Sequence, residues 1–68
     1  YIGEEAAWEE ALNHAGLKET EVTRKKVKLD EDDGVMVYEV EFVMGQMEYD
    51  YEIHAVSGEI LKAEADKD

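Results

Sequence analysis

The chain has 68 residues, no cysteine and no proline, and it sets 19 acidic side chains against 7 basic ones for a formal charge of −12. A domain this short holds one core and not two, because it buries only about 60% of the surface its unfolded chain exposes. Without a disulfide or a thiolate metal site, packing and hydrogen bonding must stabilise it. The charge repels phosphate backbones and anionic lipid headgroups, which argues against nucleic acid and membrane surfaces as partners. No apolar run approaches the roughly 20 residues that cross a bilayer, and nothing reads as a signal peptide. The sequence opens at Tyr1 rather than at methionine, and reads as one domain, residues 1–68, cut from a longer protein.

The first element is a helix over Glu4 to Ala15. Gly3 serves as a modest N-cap, Glu4 and Glu5 lie where the positive end of the helix dipole favours carboxylates, and Gly16 supplies the left-handed residue that commonly ends a helix. Ala7, Ala11, His14 and Ala15 recur at helical spacing with Leu12 beside them, so the buried stripe is mostly alanine and the axis can lie close to a sheet.

From Val22 onward the period changes to two, with β-branched and aromatic residues between short turns. Three strands are expected, from about Val22 to Asp30, from Val35 to Met44 and from Met47 to Val56. Gly45-Gln46 suits a two-residue hairpin led by glycine, pairing Met44 with Met47, Phe42 with Tyr49, Val40 with Tyr51 and Tyr38 with Ile53 on one face. A four-residue loop, Glu31 to Gly34, then pairs Asp30 with Val35 and adds Val27 and Leu29 to that face. On the opposite face Glu41 opposes Asp50 and Glu39 opposes Glu52, a destabilising arrangement. In this register Arg24 falls beside Glu41 and Lys26 beside Glu39, interleaving cations with the carboxylates.

Ser57-Gly58 marks a further turn, after which Glu59 to about Ala63 supplies a short fourth strand. A two-residue turn aims Ile60 at the core and a bulged turn aims Leu61 there instead. The charged residues 64–68 are expected to fray. The resulting class is α+β: one N-terminal helix packed on one face of a three- to four-stranded antiparallel β-meander, with the charged face open.

In this arrangement the chain resembles the PepSY domain, found in propeptides of thermolysin-like metallopeptidases and in many bacterial cell-envelope proteins. The resemblance is carried by EEAAWEEALNHAG (Glu4 to Gly16), VYEVEFVMGQMEYDYEIHA (Val37 to Ala55) and SGEIL (Ser57 to Leu61), in the family's order and spacing. Members typically place aspartate where His54 stands and often threonine at Ser57; they also favour an aliphatic residue at Glu10 and a polar one at Trp8. The resemblance implies export to the envelope or medium and a non-catalytic role in restraining, chaperoning or sensing a peptidase or another envelope protein, a neighbouring domain of the same chain included.

Chemistry-bearing groups are few. His14 and His54 lack the cysteine or histidine partners of a zinc site and stand near no recognisable nucleophile, so no metal, cofactor or catalytic residue is assigned. His54 is expected on the open face near Lys28 and Val37. Asp30 to Gly34 concentrates carboxylates as a calcium loop does, but glycine falls at its fifth position rather than its sixth, so a solvated hairpin loop is the better reading. Glu39, Glu41, Asp50 and Glu52 lack the closed pocket that acid–base chemistry needs. Trp8, on the flank of the alanine stripe, fits either packing over a sheet edge or contact with a partner. The candidate partner-binding surface is therefore Trp8, Arg24, Lys26, Glu39, Glu41, Asp50, Glu52 and His54. Two other functions compete with protein binding: a structural spacer in a multi-domain surface protein, and a weak cation-binding sensor.

Overall fold

The computed structural model describes residues 1–67. A helix, α1 (Glu4–Ala15), leads through a single 3₁₀ turn (Glu19–Glu21) into four strands, β1 (Thr23–Asp32), β2 (Val35–Met44), β3 (Met47–His54) and β4 (Ile60–Lys67). Sheet order follows chain order, β1-β2-β3-β4, and every pair is antiparallel. The helix has the bounds its capping residues predict. Gly16 ends it in the left-handed region at φ 73°, and the amides of Gly16 and Leu17 return to the carbonyls of Asn13 and Leu12, satisfying acceptors that the last turn would otherwise leave open.

The helix packs on β1, β2 and β3. Its buried residues are Ala7, Trp8, Ala11 and Leu12, while His14 is exposed and Ala15 only partly covered. The buried stripe is thus rotated from the predicted one towards Trp8, because an indole removes far more apolar surface from water than an alanine does. Phe42 is the centre of the core. It meets Trp8 edge-on at 5.3 Å and stacks on Tyr49 at 5.0 Å and on Tyr51 at 6.0 Å. Tyr38, Val40, Ile53 and Ala55 complete the buried cluster.

The second hairpin has the predicted register throughout, from Met44↔Met47 to Tyr38↔Ile53, with Glu41↔Asp50 and Glu39↔Glu52 on the other face. The first does not. Asp33 and Gly34 alone make the turn, with φ of 52° and 81°, and so bring Asp32 opposite Val35, Leu29 opposite Tyr38 and Val27 opposite Val40. Two successive residues at positive φ match the right-handed twist of the flanking strands, and Asp-Gly is among the pairs that accept this most readily. The register therefore lies two residues from the expected one. A shift of two preserves which face each side chain takes, so Val27 still joins the core side, but it changes every cross-strand partner.

Two bulges interrupt the sheet. In β1, Arg24 and Lys25 together oppose Phe42, between the pairs Thr23↔Val43 and Lys26↔Glu41, and Arg24 sits at φ 56°. In β4, Leu61 is the extra residue between Ile53↔Ile60 and Glu52↔Lys62. Ile60 accordingly reaches the core side, while Leu61 is left 47% exposed. Strand β4 then runs on to Lys67, which pairs with Met47. This differs from the expected end near Ala63 and frayed tail: alternating alanines and charges suit a strand with one face in water, and backbone pairing to β3 needs no apolar side chain. The frayed-tail expectation for Asp68 lies outside the described residues.

Candidate protein-binding surface

On the open face, register places side chains in rows across the four strands. One row reads Lys26, Glu41, Asp50, Glu64 and the next Lys28, Glu39, Glu52, Lys62. The expected rows had Arg24 beside Glu41 and Lys26 beside Glu39; the Asp-Gly turn moves each cation by one step, so that Lys26 faces Glu41 and Lys28 faces Glu39. Arg24 nevertheless borders the same hollow as Lys26, Glu41 and Glu48, on the side that strand alternation with Lys26 and Lys28 gives it. The close ion pairs lie at the other edge. Lys62 Nζ is 3.5 Å from Asp50 Oδ2 and 3.5 Å from Glu64 Oε1, and these two carboxylates, Asp50 foremost, hold its ammonium group above the usual lysine range.

The carboxyl groups between the edges are crowded. Asp30 accepts a hydrogen bond from the Glu31 amide at 2.9 Å, which lowers its pKa, and a shared hydrogen bond with Glu39 lowers it further. That same shared bond is the main cause raising Glu39. Glu52 is raised by burial first and then by its hydrogen bond with Asp32. Val37 lies in register between Asp30 and His54 on this face and is fully buried. Since the helix covers the other side, only the neighbouring side chains on the open face can shield it. The predicted loop carboxylates Asp30, Glu31 and Asp32 belong to β1, on alternating faces, so they do not converge around a point as calcium ligands must. Among the described residues no group of three or more histidine, aspartate or glutamate side chains could hold a metal ion.

His54 lies opposite Val37, with Asp30 rather than Lys28 next in the row. Its Nδ1 accepts hydrogen bonds from the amides of Val56 at 3.1 Å and Ser57 at 3.2 Å. An aspartate oxygen makes the same bonds when it closes an Asx turn, so the imidazole does here what the family's aspartate would do. Ser57 Oγ accepts from the Glu59 amide at 3.1 Å. These bonds hold the β3–β4 turn. The other histidine, His14, places Nδ1 3.1 Å from the Tyr51 hydroxyl, tying the end of α1 to β3. Burial raises the Tyr51 pKa.

Trp8, grouped with these residues in the sequence, stands on the opposite side of the sheet and is only 3% exposed. It forms part of the floor of a groove of about 850 Å³ between α1 and β1, together with Leu12, Leu17 and Val27. Trp8 Nε1 donates to Glu19 Oε1 at 2.9 Å. Lys25 Nζ lies 4.8 Å above the indole ring and 3.9 Å from the same Glu19 oxygen. Sequence reasoning singled out neither Lys25 nor Glu19. The spacing of Trp8 and Glu19 carries no signal for their hydrogen bond; Lys25 shares the helix side with Val27 by strand alternation, but nothing in the sequence places it over the ring.

The three segments that carry the sequence resemblance form α1, the β2–β3 hairpin and the turn into β4. The chain belongs to the PepSY family: residues 1–64 match the model of the peptidase propeptide and YPEB domain. The family is associated with peptidase regulation, and its domains are generally regulatory or propeptide modules rather than catalysts. Two relatives are the uncharacterized protein YkoJ of Bacillus subtilis (strain 168), 42% identical over 62 residues, and the uncharacterized protein Spy1430 of Streptococcus pyogenes serotype M6, 38% identical over 61 residues. Each alignment covers 90% of this chain, but 36% of the first relative and 47% of the second. The chain thus spans less than half the length of these curated relatives. No solved structure matches it significantly. Among the described residues no helix is long and apolar enough to cross a membrane.

Proposed function

We propose that this domain is a non-catalytic protein-binding module of a longer exported protein, and that it restrains, chaperones or senses a peptidase or another protein of the cell envelope. The observation that carries this reading is the match of residues 1–64 to a family of peptidase propeptides. The open face supplies the surface, with Arg24, Lys26, Glu39, Glu41, Asp50, Glu52 and His54 as its polar contacts. A charged, partly desolvated surface of mixed sign suits a regulatory contact, in which complementarity sets partner choice and association rate more than affinity. The net charge of −12 favours a basic partner surface at long range.

The test is direct. The immobilised domain is exposed to envelope and secreted proteins of its source, and retained proteins are assayed for peptidase activity with and without the free domain. Specific retention of a peptidase whose activity falls on adding the domain is the expected result. Retention of no protein, with no change in any peptidase activity, would overturn the reading and favour the spacer.

A further inference from the structure

Three features of the α1–β1 groove converge. Its floor is apolar, made by Trp8, Leu12, Leu17 and Val27. Its walls carry four carboxylates, Glu4, Glu5, Glu9 and Glu19, against two ammonium groups, Lys18 and Lys25. Of these acids only Glu19 has an ion pair within 4 Å among the described residues. Finally, the groove is already occupied by a cation of the chain itself, since Lys25 lies over the Trp8 ring and beside Glu19. Strand alternation puts it there, since Lys25 is two residues from Val27, which also lies on the helix side and lines the groove.

We propose that this groove receives a lysine or arginine side chain, flanked by apolar residues, from a basic segment of a partner protein, and that the incoming cation displaces Lys25 from the face of Trp8. The chemistry follows from the present occupant. The indole face and the Glu19 carboxylate attract any cation, and Glu5 and Glu9 add charge that Lys25 does not neutralise. The apolar floor gives the flanking residues a place to leave water. Lys25 and Glu19 are both exposed, with side-chain exposures of 52% and 68%, and a solvent-exposed pair of this kind is cheap to break. The partner engages through side chains and not by adding a strand to β1, because Arg24, Lys25, Lys26 and Lys28 line that edge and the bulge distorts it; both devices oppose strand addition. This inference rests on the reading of the domain as a binding module, and adds to the open face a second contact of different chemistry.

A short capped peptide of alternating arginine and leucine tests it, with the glutamate and leucine counterpart as control. Binding is followed by amide NMR and Trp8 fluorescence. Shifts should concentrate on the Trp8 indole N–H and on the amides of Glu9, Glu19 and Lys25, for the arginine peptide alone. Lys25→Ala, which removes the competing cation, should tighten binding about three- to fivefold, and the double variant Glu5→Gln, Glu9→Gln should weaken it by a similar factor. All three positions are exposed, so these variants keep the core intact. The proposal is overturned if neither variant changes the affinity, or if the shifts fall only on the open face, since the peptide would then be a general counter-ion. If these variants also leave capture of the native partner unchanged, the groove assignment fails while the module reading stands. Peptide binding at the groove without any native partner would defeat the module reading alone.

Discussion

The two outer strands of the sheet handle the same physical problem in opposite ways. Both β1 and β4 leave one side of the backbone without a neighbouring strand, and such an edge invites pairing with another chain. In β1 the edge carries four cations within the span 24–28, is distorted by a bulge at Arg24 and Lys25, and lies against the helix. In β4 the pairing with β3 is regular from Lys62 to Lys67, and the residues alternate between alanine and charge. One edge is guarded by positive charge and local strain, the other by a lack of apolar side chains. A guarded edge can also be a specific one, because Lys25, one of the cations that line it, is the one that lies over Trp8.

The comparison breaks most visibly at Phe42. Its ring opposes the β1 bulge and touches Trp8, Tyr49 and Tyr51, so Phe42→Ala should cost about 3–5 kcal/mol, enough to unfold a domain this small in urea or thermal melts. Ala65→Lys on exposed β4 should stay within about 0.5 kcal/mol of the parent. If Ala65→Lys proved as damaging as Phe42→Ala, the two edges would not differ as described. The next effect has the opposite sign. Arg24→Gly relieves the left-handed backbone and should stabilise the domain by about 1 kcal/mol, raising the melting temperature by roughly 5 °C. No gain would mean that the Arg24 side chain contributes as much on the open face as its backbone loses.

Acid sharpens the contrast through the carboxyl groups between the edges. Glu39 and Glu52 are raised from an ordinary value of 4.5, so their contribution to stability is complete below 4.5 and is lost as pH rises through their folded values. Asp30 is lowered from 3.8, so its contribution is present above 3.8 and is lost as pH falls through its folded value. The melting temperature should therefore rise as pH drops from 7 towards 4.5 and fall again below 3.8. Glu52→Gln should gain a few tenths of a kcal/mol at pH 7, from relief of the Glu39 and Glu52 opposition, and nothing near pH 4. The smallest effect belongs to Lys62. Lys62→Ala should lower the melting temperature slightly in dilute salt and not at all in about 1 M salt, where charges are screened beyond about 3 Å.

How much of this the sequence discloses varies from element to element. The period of two from Val35 to Met44 and the Gly45-Gln46 turn place Tyr38, Phe42 and Tyr51 under the helix correctly, because hydrophobic alternation and a glycine-led turn point to one register. The first hairpin misleads. Four successive polar residues, Glu31 to Gly34, resemble a loop, yet the Asp-Gly pair suffices for the turn and the two acids before it join β1. The error of two residues keeps the faces and misassigns the partners, so the core is legible and the salt-bridge rows are not. Nothing in Thr-Arg-Lys-Lys announces that Arg24 takes a left-handed conformation, since that residue type normally avoids it. The groove is hidden because nothing in the sequence joins Glu19 and Lys25 to Trp8, whose 3% exposure fits packing over the sheet, one of the two roles open to it, rather than a place on the open face.

The way His54 closes the β3–β4 turn fixes more than a loop. An imidazole nitrogen that accepts two amides carries no hydrogen, so the neutral ring must keep its proton on Nε2. Whatever approaches that nitrogen meets a donor and not a lone pair. A carbonyl or carboxylate oxygen can dock there, whereas a transition-metal ion would require the ring to change tautomer and release the turn.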